Sequence, residues 1–269
     1  MQIDFKSNYP DSLPHNFGDK DGTIYVYIDN KVYLAAEENH HDPIALMVEP
    51  RSIFPEAYAW LEKNWKLFKY IFTFDSNLLI LPNAKLFLYG QITAEFPGCV
   101  KNKGISMVAS NKDFCEGHRQ RKSVAWELKG LIDTYGQFDG GGFCEDKDYL
   151  ANYMFNVAME NYSDGYYFTE KLCNCLASKV IPIYYGCPKE HLAEYFNMNG
   201  IVYCESPEEV VYKTREIAED PDSYYLDRQT AIEDNYHRVQ KYRRFAPLFL
   251  NTYKDILEEV ADGRTDINL

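Results

Sequence analysis

The chain has 269 residues, 46% of them hydrophobic and 16% aromatic, enough to bury a sizeable core and to fill two domains of modest size. That composition excludes intrinsic disorder. A formal net charge of -13 and a pI of about 4.9 argue against broad attraction to nucleic acid or anionic lipid, while leaving room for a local basic pocket.

In chain order, TIYVYI (23–28) and DPIALMVEP (42–50) predict strands, PEAYAWLEKNWKLFKY (55–70) a helix, and IFTFD (71–75) and KLFLYG (85–90) two further strands. A β, β, α, β, β order with short loops predicts an open α/β sheet. At EFPGCVKNKG (95–104), Pro, Gly and Lys cluster, and the expected domain boundary falls there. Beyond it come a strand, ISMVAS (105–110), a helix over about 119–130, the loop TYGQFDGGGF and a helix near KDYLANY. The strand FNVAM follows, then the polar stretch ENYSDGYYFTEK (160–171), a helix over 170–178, the strand VIPIYYG, and GIVYCES. From Pro207 to Val260 the chain is helix-rich and heavily charged. The predicted division is thus two α/β domains, 1–98 and 99–260, the second carrying the C-terminal helices, which are expected to pack back. The last residues, 261–269, are predicted to be a frayed tail.

No apolar run nears the ~20 residues that span a bilayer. The start, MQIDFKSNYPDSLPHNFGD, lacks the basic opening and apolar middle of a signal peptide. A soluble, cytoplasmic protein without a membrane span is expected. Seven cysteines, an odd number without the spacing of a zinc site, are expected to be reduced and mostly buried. His40, His41 and Asp42 lie in a polar loop and are expected to be solvated rather than metal ligands.

In open α/β sheets, ligands bind beyond the carboxyl ends of the strands. Glu160 and Asn161 fall just past FNVAM, and Thr169 is a good N-cap for the following helix. Glu170 in the first turn suits the positive end of the helix dipole; Lys171 does not, unless an anion is held there. The same oddity recurs after ISMVAS, where His118, Arg119, Arg121 and Lys122 crowd a helix start. Two such starts in an acidic chain point to one polyanion between them, of the size of a diphosphate; the competing reading is a solvated basic face. Glu170 could accept from two ribose hydroxyls, and Asn161 and Tyr167 could bond sugar or phosphate oxygens. No Walker loop or dinucleotide fingerprint is present.

The stretch YMFNVAMENYSDGYYFTEKLCNCLASKVIPIYYGCP resembles the donor-binding signature of the α-1,3-fucosyltransferases, glycosyltransferase family 10. The likeness rests on Glu160-Asn161, on Tyr167-Phe168-Thr169-Glu170-Lys171, and on Ile181-Pro182-Ile183-Tyr184-Tyr185-Gly186. Upstream, VASN, an arginine and IDTYG are similar to the family's phosphate-binding region; spacing to Asp133 selects Arg119 rather than Arg121. VEPRSIFP is similar to a further family segment and puts Glu49 at the position of the catalytic base. Pro50 directly after Glu49, Tyr162 for the usual Ser or Thr, and Thr73-Phe74 in FTFDS depart from the family pattern.

The resemblance implies two Rossmann-like domains facing across a cleft (GT-B type), with 1–98 on the acceptor side and 99–260 binding the donor. It implies inverting transfer of fucose from GDP-fucose to a glycan hydroxyl. No metal or other cofactor is obligatory in that scheme, because Arg and Lys neutralise the diphosphate. The implied donor-site residues are Arg119, Asn161, Tyr167, Thr169, Glu170 and Lys171, with Glu49 as base. Two alternatives stand beside it. One is transfer of another nucleotide-activated sugar to a glycan, a protein or a modified nucleobase. The other is a non-catalytic nucleotide-sugar or glycan-binding protein. The acidic charge argues against a nucleic-acid partner, and no oligomeric state is specified.

Overall fold

In the computed structural model, which describes residues 2–8, 15–16 and 22–263, the apolar alternation of TIYVYI builds a sheet with two buried faces. The chain divides into one unit of Met1–Tyr89 with Arg244–Leu269 and a second of Gly90–Arg243. In the first unit, β1 (Gln2–Lys6), β2 (His15–Asn16), β3 (Thr23–Ile28), β4 (Ile44–Leu46), β5 (Tyr70–Thr73) and β6 (Ala84–Leu86) form a sheet in the order β2-β1-β3-β4-β5-β6. Only the β1–β2 pairing is antiparallel. Successive side chains point to opposite faces. Val26, Ile28, Ile44, Leu46 and Phe72 therefore enter one core, and Tyr27, Ala45, Met47 and Ile71 the other.

Helix Pro55–Asn64 covers the second of these faces with Ala57, Tyr58 and Leu61. The sequence predicts this helix to 70, but it stops at Asn64 and tightens into a 3-10 turn, Trp65–Leu67. The Asn83 amide donates to the freed carbonyls of Trp65 and Phe68 and fixes that end. Helices Phe245–Thr252 and Lys254–Asp262 cover the other face through Phe245, Phe249, Leu257 and Val260. The Phe249 ring meets Phe72 edge-on at 5.0 Å. This corrects the predicted grouping of the C-terminal helices with the second domain: those after Arg243 complete the core of the first. Of the predicted tail, Ala261 and Asp262 close the last helix, and 264–269 lie outside the described residues.

The second unit contains β7 (Lys103–Val108), β8 (Asp133–Tyr135), β9 (Tyr153–Met159), β10 (Ile181–Tyr185) and β11 (Val202–Tyr203). They form an all-parallel sheet in the order β11-β10-β9-β7-β8. Every residue of β9 is buried, as expected for a central strand covered on both faces. From β7 the chain steps outward to β8, then returns to the other side of β7 as β9. The order reverses there, and a crevice opens at the carboxyl ends of β7 and β9.

The domain boundary also moves, from 98/99 to 89/90. Asn174, on helix Glu170–Ala177, accepts from the Thr93 and Ala94 amides and donates to the Thr93 hydroxyl. Ser178 accepts from the Phe96 amide. The Pro- and Gly-rich stretch expected to mark the boundary is preceded by a segment pinned to the second unit.

Candidate functional site

The carboxyl end of β9 runs directly into Glu160, whose carboxylate is fully buried. It accepts from the Thr169 amide at 2.8 Å and from the Thr169 hydroxyl at 2.7 Å. Glu160 thus ties the strand end to the N-cap of helix Glu170–Ala177. Thr169 Oγ1 in turn accepts from the Lys171 amide, the capping geometry read from the sequence. Gly186, beyond β10, is needed because a Cβ there would collide with the Glu160 side chain.

Lys171 turns back over this cap. Its ammonium lies 2.8 Å from Glu170 Oε1, 3.1 Å from Thr169 Oγ1 and 3.6 Å from Glu160 Oε2. Burial works against the ammonium, but the charges of Glu170 and Glu160 outweigh it and raise its pKa. Burial likewise opposes ionisation of Glu170, yet the Lys171 charge and hydrogen bond prevail and hold the carboxyl down to about 2. Glu160 behaves in the opposite sense, its pKa raised by burial.

The second cation comes from helix Glu116–Leu128. Arg121 donates to Asn161 Oδ1, beside the end of β9. Burial disfavours its charge, with Glu160 and Glu170 offsetting part of that penalty; an arginine remains protonated regardless. The helix start lies so close to Asn161 that a Cβ at Gly117 would strike the Asn161 backbone. Val108 at the end of β7, Met159 at the end of β9, Arg121, Glu170 and Lys171 line a cavity of about 170 Å³ at the sheet's switch point. A site needs roughly 10–15 Å³ of such space per water, so this one has room for a diphosphate.

Arg119, the arginine selected by spacing, is elsewhere. Its side chain is half exposed and pairs with Glu116 at 2.9 Å and Asp113 at 3.7 Å. The sequence held a signal for Arg121. Gly117, His118, Val124, Ala125 and Leu128 are the buried residues of this helix. They recur at helical spacing, and Arg121 falls on the same stripe, three residues from His118 and from Val124. Arg119 points away from it. Tyr167 is buried, with its ring edge-on to Tyr162 at 6.2 Å, and is not among the cavity-lining residues. Thr169 acts through the cap. Of the residues named from the sequence, Glu170 and Lys171 line the cavity and Asn161 reaches it only through Arg121, while Arg119 does not take part.

Glu49 lies in the first unit, after β4, and is partly buried. Its amide and that of Val48 donate to Asp29 Oδ1 at 3.0 and 2.8 Å, and its carbonyl accepts from the Tyr58 hydroxyl at 2.8 Å. Asp29 is buried, with the left-handed φ of 51°. Arg51, two residues on, grips the buried Asp75 through two hydrogen bonds of 2.9 and 3.2 Å and stacks over the Tyr58 ring. The sequence pattern had not singled out Asp29 or Asp75.

A larger cavity, about 570 Å³, opens beside β11, where Glu216 holds both Lys213 and the Tyr224 hydroxyl. Among the described residues, no three His, Cys, Asp or Glu side chains gather as metal ligands, and no helix is long and apolar enough to cross a membrane. All seven cysteines are free thiols.

Residues 99–242, just over half of the chain, match the family described as glycosyltransferase family 10 (fucosyltransferase), C-terminal part. No curated protein sequence matches. Among solved structures, the chain is similar to an alpha1,3-fucosyltransferase with GDP at 17% identity and a TM-score of 0.55, over 88% of this chain and 81% of that one. A second alpha1,3-fucosyltransferase structure is similar at 19% identity and a TM-score of 0.53, over 86% and 76%. The pneumococcal O-GlcNAc transferase GtfA in complex with UDP and GlcNAc is similar at 13% identity and a TM-score of 0.56, over 88% of this chain and 57% of that one. At such identities the likeness is one of fold, and the fold is of the GT-B type. With its parallel sheets and the family match over the second unit, the chain belongs to glycosyltransferase family 10, the fucosyltransferases.

Proposed function

We propose that this chain transfers fucose from GDP-fucose to a hydroxyl of a glycan acceptor, with inversion at the sugar's anomeric carbon. The observation that carries the reading is the pair of cations, Arg121 and Lys171, at the carboxyl ends of β7 and β9. They take the diphosphate. Glu170, ionised far below neutrality, accepts from the ribose hydroxyls, and Asn161 bonds phosphate or sugar oxygens. The fold relative crystallised with GDP supports this choice of nucleotide. Two fixed cations supply the charge that a divalent ion would otherwise bring, so no metal is required for donor binding.

Glu49 is the general base. Inverting transfer needs a carboxylate that removes the proton from the acceptor hydroxyl as its oxygen attacks C1 and the bond to the diphosphate breaks. The bonds from Asp29 and Tyr58 hold the Glu49 backbone on both sides. Glu49→Gln is expected to lower the transfer rate by roughly 10²-fold or more with GDP affinity nearly intact.

Calorimetry with GDP tests the donor side. Arg121→Ala and Lys171→Ala should each weaken binding about tenfold or more, the scale of one charge-assisted bond, while Arg119→Ala leaves it unchanged. Equal losses for Arg119→Ala and Arg121→Ala would dissolve the assignment. A hydrolysis panel of nucleotide sugars tests the donor itself. A preference for a UDP-sugar, the nucleotide bound in the GtfA structure, would move the reading to transfer of another sugar.

A further inference from the structure

His118, on the Arg121 helix and next to the residues that line the cavity rather than among them, has chemistry that is unused. The residue is 6% exposed, and its buried Nδ1 has no hydrogen-bond partner. A buried polar atom left unpaired costs roughly 1–3 kcal/mol, so its persistence asks for an explanation. The ring sits in the first turn of helix Glu116–Leu128, three residues before Arg121 and so on the same face. That face meets Asn161, where Gly117 allows the close approach.

The charges around His118 are mostly of one sign. Arg121 faces it from its own helix, Lys112 from the preceding loop and Lys171 from helix Glu170–Ala177; Asp113 is the opposing charge, and Phe114 presents its ring at 5.6 Å. Burial first, and then these three cations, hold the imidazole down to about 4, so the ring is neutral at ordinary pH. A third positive charge here would be repelled for as long as the site lacks an anion.

We propose that His118 is a proton-coupled member of the diphosphate site: when the nucleotide binds, its imidazole takes up a proton from solvent and the imidazolium faces the phosphates beside Arg121 and Lys171. This rests on the reading of the cavity as a nucleotide diphosphate site. The bound anion cancels the field of the cations, which together with burial keeps the free ring neutral, and gives Nδ1 an electrostatic partner. Binding therefore raises the imidazole pKa. By linkage, affinity gains as pH falls from the raised value toward that of the free protein.

Proton uptake reads this directly. The full chain, labelled with ¹⁵N-histidine, is titrated with GDP at pH 6.5, with the His118 signal identified by its absence in His118→Gln. The ring nitrogens should move from neutral to imidazolium shifts. Calorimetry in buffers of different ionisation enthalpy should show more proton uptake in the wild type than in His118→Gln, a difference that removes the contribution of GDP's own terminal phosphate. His118→Gln should weaken GDP on the order of tenfold at pH 6, the scale of one charge-assisted interaction, and the penalty should fade by pH 8.5. GDP binding with a ring that stays neutral and a pH profile shared by both proteins overturns the inference and leaves the diphosphate reading standing. Failure of the wild type to bind GDP removes both. Should His118→Gln not fold, proton uptake by the wild type that exceeds that of GDP's phosphate alone still decides the matter.

Discussion

The carboxyl ends of β3–β5 in the first unit and of β7 and β9 in the second occupy the same topological position but are built for opposite purposes. In the first unit, Asp29 accepts two backbone amides and Asp75 is matched by Arg51, itself held by Glu62 at 2.8 Å. The result is a braced segment that fixes Glu49 from its amide to its carbonyl. In the second unit, cations crowd one another, Lys171 is shared among three oxygens, and His118 Nδ1 is unpartnered. Strand ends of a parallel sheet thus serve as a frame where their charges close on themselves. Where the balance stays open, as at β7 and β9, it is the proposed nucleotide that would complete it.

The largest test of that contrast removes a partner from the closed frame. Asp75→Ala leaves Arg51 with Glu62 and the Tyr58 ring, and breaking a buried pair in this way costs about 3 kcal/mol at the lower end of its range. Hydrogen exchange of the β3–β5 amides should report the loss. Unchanged protection would show that the frame is not what stabilises this region. Arg121→Ala probes the other side of the contrast. In the second unit the lost cation is disfavoured by burial and repelled by Lys171, so its removal should cost folding stability less than Asp75→Ala does, even as GDP binding falls. A stability loss as large as that of Asp75→Ala would erase the distinction between frame and site.

Asp29→Ala is next in size. It strips the acceptor from two amides and places alanine at a left-handed φ. Roughly 2 kcal/mol is expected. Asp29→Asn, which keeps one acceptor oxygen and tolerates that φ, should recover most of it. If Asn and Ala are equally damaging, the negative charge matters more than the bonds to Val48 and Glu49.

How far this organisation was legible depends on which force set each feature. The strands TIYVYI and FNVAM and the Thr169 cap were readable because burial and capping act locally on runs and on single positions. QIDFK escaped notice because β1 carries two charged residues and owes its place to parallel pairing with β3. DTY, in β8, is three residues long and is stabilised by its neighbour β7. The boundary moved because Asn174 and Ser178, over eighty positions away, bind the segment before it. Counting along the chain selects Arg119, whereas a helix sorts side chains by angle, and the angle favours Arg121. Asp29 follows the β3 strand with no local signal of its role, and its partners at Val48 and Glu49 are fixed only once β3 and β4 pair.

The smallest effect separates two neighbouring carboxylates within the second unit. Glu170 has its folded pKa lowered from 4.5 to about 2, with Lys171 overcoming the burial penalty. It therefore contributes stability that is fully present above about pH 4.5 and is lost as pH falls toward 2. Its side chain is 39% exposed, and solvent screening keeps the contribution well below what the shift alone suggests. Glu160 is raised above 4.5 by burial, so the native state holds its proton more tightly than the unfolded chain does. Its contribution has the opposite slope: from this group alone, stability rises as pH falls through the folded pKa, and the rise ends near 4.5. Urea midpoints measured from pH 7 to pH 2.5 resolve the two. Glu170→Gln should flatten part of the acid loss below pH 4.5, and Glu160→Gln should steepen the decline above it by removing a compensating gain. If both substitutions move the acid limb in the same direction, burial does not dominate Glu160, and the bonds from Thr169 together with the Lys171 ammonium hold it ionised as firmly as Glu170.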